Sequence, residues 1–230
     1  MNQVEIKQNV AKYAADLVIG GMTVGIGTGS TAHHLLVALA ERMKHGLQFR
    51  GVPTSSQTLQ QAKRLNIPMI DLDEAEKIDI AIDGADEISP ELNLIKGGGG
   101  AFLQEKMVAF SAEKFIVIAD ESKIVESLGK FPLPVEVVPY GIKRMIRQIE
   151  TLGCKQVLVR RRNNEIFITD HGHYILDCHF NSISDPHHLN THLKEIPGVV
   201  ENGLFIRMAG TAIIGYADGT VKEISRHSFP

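Results

Sequence analysis

The chain has no tryptophan and only two cysteines, Cys154 and Cys178. Two cysteines without a paired spacing cannot build a disulfide framework or a cysteine zinc site, and their sparing use fits a reducing interior. No stretch approaches the roughly 20 apolar residues of a membrane-spanning helix, and the N-terminal segment has no signal-like apolar core, so a soluble cytoplasmic protein is expected. An excess of one charge sign is missing as well. The 24 Lys and Arg residues against 27 Asp and Glu leave a formal charge of -3, which gives no general attraction for nucleic acid or an anionic membrane. Arg160-Arg161-Arg162 is too short to change that and reads as a solvated strand end. Internal repeats and low-complexity tracts are absent too. What is present suffices for a substantial core: 43% of the 230 residues are hydrophobic, enough for one large domain or a domain with a smaller companion.

Apolar periodicity predicts strand and helix in alternation. Residues 4–18 place Val10, Ala14, Leu17 and Val18 on one helical face, 22–26 form a short apolar strand, and Ala32, Leu35, Leu36, Leu39 and Met43 resume helical spacing. Strands are then expected at 48–52, 68–72, 78–82 and 115–119, with helices at 56–65 and 101–114. That succession implies a parallel sheet covered by helices. Beyond Phe131-Pro132-Leu133-Pro134 the rhythm is less regular, with strands at 135–138, 156–160, 166–169 and 174–178 and helices near 140–151 and 186–194. The last segments, 210–216 and 220–224, read as a hairpin around Asp218-Gly219. The expected fold is α/β: a Rossmann-like parallel-sheet catalytic domain of residues 1–130 plus 207–230, and a second, smaller α+β domain of 131–206 that would supply an oligomer contact.

Polar chemistry is concentrated in two places. Asp83-Gly84-Ala85-Asp86-Glu87, Lys96-Gly97-Gly98-Gly99-Gly100 and Glu105-Lys106 follow one another closely. The aspartates fall where a buried strand leaves the sheet, the rim at which open parallel sheets bind ligands. The glycines suit a backbone that passes close to a ligand and offers N–H groups to it. The second motif, Gly25-Ile26-Gly27-Thr28-Gly29-Ser30-Thr31, lies at a strand-to-helix junction. There hydroxyls, free N–H groups and the positive end of the helix dipole suit an anion. It lacks the Gly-Lys-Ser/Thr of a Walker loop and the Gly-x-Gly-x-x-Gly of dinucleotide binding. A plain glycine turn with an N-cap serine remains an alternative, as does a first-turn glutamate on the helix dipole for Glu105.

Together, Gly27-Thr28-Gly29-Ser30-Thr31, Asp83-Gly84-Ala85-Asp86-Glu87, Ile95-Lys96-Gly97-Gly98-Gly99, Glu105-Lys106, Ala119-Asp120-Glu121-Ser122-Lys123 and Leu128-Gly129-Lys130-Phe131-Pro132-Leu133-Pro134-Val135-Glu136 closely resemble the ribose-5-phosphate isomerase A family, in order and in spacing. The likeness continues through Ile175-Leu176-Asp177 and Ile196-Pro197-Gly198-Val199-Val200-Glu201-Asn202-Gly203-Leu204-Phe205, so it covers nearly the whole chain. Residues 53–58 match only approximately, and the tail 225–230 stands out as an extension.

The resemblance implies interconversion of D-ribose 5-phosphate and D-ribulose 5-phosphate through a cis-enediolate, without a cofactor. Glu105 matches the family's catalytic glutamate, Lys96 a lysine that stabilises the developing oxyanion, and Asp83 the aspartate assigned to ring opening and hydroxyl protons. Burial beside the glycine loop would raise the Glu105 pKa. Asp86 is expected to orient sugar hydroxyls and Lys96. Thr28, Gly29, Ser30 and Thr31, with Lys7 and Lys123, match the phosphate site, and Gly84, Ala85, Gly97, Gly98 and Gly99 complete the substrate contacts; Lys130 stays open. No metal is implied, although paired aspartates make a metal the rival explanation. His171-x-His173 and His187-His188 lack cysteine or carboxylate partners at ligand spacing, and His33 and His34 read as bystanders. The expected partner is a small sugar phosphate, not nucleic acid or membrane, with the chain assembled as a homodimer or homotetramer. A non-catalytic sugar-phosphate sensor, or a related enzyme such as an amino-sugar-phosphate deaminase or a coenzyme A transferase, would share the fold. The sensor could lose Glu105, Lys96 or Asp83, and the related enzymes should lack the joint acidic and glycine motifs.

Overall fold

The computed structural model describes residues 1–226; of the 225–230 tail, residues 227–230 lie outside the described residues. In chain order the helices are α1 (Gln3–Asp16), α2 (Ser30–Lys44), α3 (Ser56–Arg64), α4 (Phe102–Ser111), α5 (Ile142–Thr151) and α6 (Pro186–Glu195). The strands are β1 (Thr23–Ile26), β2 (Arg50–Pro53), β3 (Ile80–Asp83), β4 (Glu87–Ile88), β5 (Leu94–Ile95), β6 (Phe115–Asp120), β7 (Leu133–Val137), β8 (Gln156–Val159), β9 (Arg161–Arg162), β10 (Glu165–Ile166), β11 (Tyr174–His179), β12 (Val199–Asn202), β13 (Leu204–Phe205), β14 (Thr211–Gly215) and β15 (Val221–Ser225). No helix among the described residues is long and apolar enough to cross a membrane.

The chain divides into two units. The first comprises Met1–Ala85, Gln104–Lys123 and the segment from Arg207 on; the second comprises Asp86–Leu103 and Ile124–Ile206. This differs from the expected division, which assigned 86–103 and 124–130 to the first domain. Pairing explains the difference: β4 and β5 form an antiparallel sheet with β13, and Glu87 accepts the Gly129 and Phe131 amides at 2.7 and 2.5 Å. The segment 86–103 therefore belongs with the strands that follow it.

In the first unit the described strands form a sheet in the order β15-β14-β6-β3-β1-β2. Its neighbours are parallel except for β14 and β15, which form the expected hairpin. Every residue of β1, β3 and β6 is buried, as central strands covered on both faces require. Val10, Ala14, Leu35 and Leu39 from α1 and α2 pack with Val24, Ile82 and Ile118 of the sheet. Asn2 starts α1 with a capping box, accepting the Val4 and Glu5 amides at 3.0 Å while Glu5 accepts the Asn2 amide at 2.9 Å. Because β2 and β3 flank β1 on opposite sides, the strand order reverses there, and the crevice at the carboxyl ends of β1 and β3 is the topological switch point.

The second unit has an antiparallel sheet in the order β12-β7-β11-β8. Val135, Val137, Leu176 and Cys178 share its core with Met145 and Ile149 of α5 and Leu189 and Leu193 of α6. Two expected strands are shorter than their sequence suggests. Residues 68–72 make only a bridge between Met69 and Gly51 before a 3-10 turn, Leu72–Glu74, where Asp71 and Glu74 cap each other. The 166–169 stretch is reduced to β10 and a bridge between Ile168 and Tyr174.

Candidate active site

Three elements of the first unit meet at the carboxyl rim of its sheet. After β1 the chain turns through Gly27, Thr28 and Gly29 into α2. A Cβ at Gly27 would overlap the Asp83 carboxylate, so glycine there lets β1 and the end of β3 approach. Asp83, 2% exposed, accepts the Thr28 amide at 3.1 Å and the Gly84 amide at 2.7 Å on Oδ1. Gly29 adopts φ 115 and leaves the start of α2 without a side-chain cap, so N–H groups of the first turn point outward as an anion site needs. Lys7 Nζ donates to Ser30 Oγ at 3.0 Å, which sets an ammonium beside that turn. The Thr28 hydroxyl is engaged elsewhere, with Thr54, Ser55 and Thr58 oxygens 2.8, 2.8 and 3.0 Å away. Burial lowers the pKa of His34, and the charges of His33 and Lys7 add to the effect.

Helix α4 supplies Glu105. Val108 fills the space that Gly25 leaves on the sheet, and Glu105, one turn earlier, shares that helix face. A crossover helix runs antiparallel to the strands it joins, so its first turn lies at the rim where β1 and β3 end. Glu105 is 4% exposed. Lys123 leaves the same rim after β6, half-buried in a short 3-10 turn.

The second unit holds the remaining expected residues. Lys96 is 3% exposed, and its Nζ lies 5.4 Å from the centroid of the Phe205 ring, a cation–π distance. Its amide donates to the Gly203 carbonyl at 2.9 Å. Asp86 Oδ2 accepts the Gly98 amide at 2.8 Å, so this carboxylate shapes the glycine segment. Gly97 has φ 105 and Gly100 φ 85, and the Gly100 amide closes a tight turn onto the Gly97 carbonyl at 3.0 Å. Side chains at either position would collide with Phe102 or Phe167.

The family model described as "Ribose 5-phosphate isomerase A (phosphoriboisomerase A)" matches residues 50–219. The chain belongs to the ribose-5-phosphate isomerase A family. It is 54% identical over 218 residues to the ribose-5-phosphate isomerase A of Synechococcus sp. (strain JA-3-3Ab), covering 94% of this chain and 95% of that one. It is 50% identical over 219 residues to that of Bacillus mycoides (strain KBAB4), covering 95% and 98%. A solved D-ribose-5-phosphate isomerase in complex with phospho-erythronic acid superposes with a TM-score of 0.94 at 40% identity, covering 98% of this chain and 100% of the other. The enzyme interconverts ribose 5-phosphate and ribulose 5-phosphate, and neither the sensor nor the related-enzyme reading is favoured.

For this isomerase the sequence motifs divide between the units. Lys7, Thr28–Thr31, Asp83, Gly84, Ala85, Glu105 and Lys123 belong to the first, and Asp86, Lys96, Gly97, Gly98 and Gly99 to the second. Several supporting residues escaped the sequence reading. Thr54, Ser55 and Thr58 fall in the stretch whose match is only approximate, although serine is a favoured N-cap residue, and Ser55 indeed caps α3 through the Thr58 amide at 3.0 Å. Glu87 was legible as part of the acidic motif but not as the acceptor for Gly129 and Phe131. His173 has no carboxylate partner at ligand spacing in sequence but has one remote from it: its Nδ1 lies 2.9 Å from Glu136 Oε1. Among the described residues no group of three or more His, Cys, Asp or Glu could hold a metal ion.

Proposed function

We propose that Glu105 carries the proton between the two reacting carbons of the sugar phosphate, with Lys96 stabilising the cis-enediolate oxygen and Asp83 handling ring opening and hydroxyl protons. The observation behind this reading is burial. Asp83, Lys96 and Glu105 are 2%, 3% and 4% exposed, and burial of ionisable groups at the positions that match the family's catalytic residues is what a desolvated proton-transfer site needs. All three come from the motifs that carry the family likeness. In the open-chain aldose the C2 proton passes to the Glu105 carboxylate as the electron pair moves onto the C1 carbonyl oxygen. The proton on O2 then moves to O1, the proton held by Glu105 is delivered to C1, and the carbonyl is left at C2. Charge appears on oxygen only as the proton leaves carbon, so a buried ammonium and fixed backbone N–H groups lower the barrier more than they tighten substrate binding. The open first turn of α2, with Lys7 at Ser30, supports placing the phosphate there; Lys123 and Thr31 join it.

The relative bound to phospho-erythronic acid suggests the test, since that four-carbon ligand, counted from its phosphate, puts a carboxylate at the carbon corresponding to C2 of ribose 5-phosphate and so carries a full negative charge where the enediolate develops one. Lys96→Met should depress kcat and weaken binding of phospho-erythronic acid by a larger factor than it raises KM for ribose 5-phosphate. Equal losses for the two ligands would make Lys96 a loop-ordering residue. Location in the cytoplasm and assembly as a homodimer or homotetramer belong to the same reading; the family likeness supports both, and sedimentation velocity on the purified chain decides the second.

A further inference from the structure

Arg160 departs from the solvated strand end that its sequence suggests. Arg161 and Arg162 are exposed on β9, whereas the Arg160 side chain is only 12% exposed. Its Nε donates to Asp177 Oδ2 at 3.0 Å and its Nη2 to Asp177 Oδ1 at 2.5 Å, a bidentate fork that fixes the plane of the guanidinium. The third nitrogen, Nη1, donates to the Gly97 carbonyl at 2.7 Å and reaches the Gly98 carbonyl at 3.3 Å. In a trans peptide the carbonyl and the next amide point in opposite directions. Holding the Gly97 carbonyl therefore turns the Gly98 N–H away from Arg160, and there Asp86 Oδ2 accepts it at 2.8 Å. That peptide is gripped at both ends. Holding the Gly98 carbonyl turns the Gly99 N–H away from the guanidinium in the same manner.

A run of four glycines is the most mobile backbone a chain can offer, so ordering it costs more conformational entropy than ordering any other four residues. We infer that Arg160, itself oriented by Asp177, is a positioning residue that sets the Gly97–Gly99 backbone in the conformation the isomerisation uses. The inference rests on the reading of Lys96 and the following glycines as catalytic-site residues. Lysine is no substitute, because a single ammonium cannot pair with both carboxylate oxygens of Asp177 and reach the glycine carbonyls from one rigid plane.

The test is steady-state kinetics on Arg160→Ala, Arg160→Lys and Asp177→Asn, with thermal unfolding of each. Misplacing a catalytic segment by about 1 Å costs on the order of 100-fold in rate. Arg160→Ala should therefore lose about 10- to 100-fold in kcat while KM for ribose 5-phosphate changes much less. Added guanidinium ion should restore part of that loss in Arg160→Ala and none in wild type. Arg160→Lys should remain impaired, and Asp177→Asn, which keeps the arginine, should show a smaller fall in kcat. If Arg160→Ala does not fold, Asp177→Asn carries the test through the same split between kcat and KM. Folded variants with wild-type kcat, or losses confined to KM or to thermal stability without guanidinium rescue, overturn the inference. Lys96→Met separates the two levels. Impaired Lys96→Met beside unimpaired Arg160 variants removes only the positioning role, whereas wild-type turnover in both removes the reading on which it rests.

Discussion

Lys7 and Ser30 meet at 3.0 Å beside a helix start that no side chain caps, and a phosphate placed there would give the ammonium an ionised acceptor in place of a neutral hydroxyl. Thr31 follows in the same turn, and Lys123 lies after β6 at the same rim of the sheet. Their proposed partner is remote from the reacting carbons, so Thr31→Ala and Lys123→Ala should raise KM and leave kcat nearly intact. A hydrogen bond to a charged group contributes about 1.5–3 kcal/mol, which corresponds to roughly a 10- to 100-fold rise. Initial-rate kinetics, together with inhibition by inorganic phosphate, reads the effect; unchanged affinities for both ligands would move the phosphate elsewhere. At this scale the sequence reveals types more readily than partners. Lys96 and Glu105 could be proposed from the sequence, because their positions match the family's motifs in order and spacing. Arg160 could not, because its value depends on Asp177 and Gly97, which pairing of β8 with β11 and the turn after β5 bring to it from far along the chain. An arginine triplet reads as solvent-facing until one side chain is seen to turn inward.

The strand-to-turn junctions after β1 and β3 are where local sequence and tertiary packing constrain each other most. Gly27 has no room for a Cβ because the Asp83 carboxylate occupies that space, while Asp83 in turn holds the Thr28 and Gly84 amides. Gly27→Ala must therefore displace the carboxylate or the loop. Overpacking of this kind costs about 1–3 kcal/mol, so the variant should melt several degrees lower and lose more than about 10-fold in kcat/KM through the shifted Asp83. Gly210 is the control: a Cβ there meets nothing within 4 Å and its φ lies outside the positive range, so Gly210→Ala should keep wild-type turnover. Equal activity in the two alanine variants would contradict the placement of Asp83. The regular elements around these turns were readable because their periods are strong. The buried strands β1, β3 and β6 are apolar apart from Thr23, Asp83 and Asp120 at their ends, and α1 and α2 repeat their apolar residues at helical spacing. The 68–72 segment misled because its apolar residues have strand character, while Asp71 and Glu74 stop the pairing with a reciprocal cap. Likewise the segment 86–103 joins the second unit through pairing with β13, more than a hundred residues away in sequence, a long-range contact that composition does not encode.

For the whole molecule, the chain leaves the first unit after Ala85, returns at Gln104, leaves again after Lys123 and returns at Arg207. Three of the four crossings fall within or beside a chemical motif: Asp83-Gly84-Ala85-Asp86-Glu87 at the first, Glu105 at the second and Lys123 at the third. Of the proposed groups, Asp83 and Glu105 belong to the unit with the parallel sheet, and Lys96 and its glycines to the other. The near-balanced charge of -3 gives no general attraction for an anionic substrate, so its recognition falls to local features, for which the start of α2 is the proposed site. The central claim is that one buried carboxylate performs the proton transfer. Its most direct measurement is the turnover of Glu105→Gln on ribose 5-phosphate in excess chelator, beside the wild-type enzyme and with phospho-erythronic acid binding measured on both. The amide keeps the shape and removes the proton acceptor, so kcat should fall about 100- to 10,000-fold while the ligand still binds and the wild type still turns over. Near-wild-type turnover of Glu105→Gln would contradict the account.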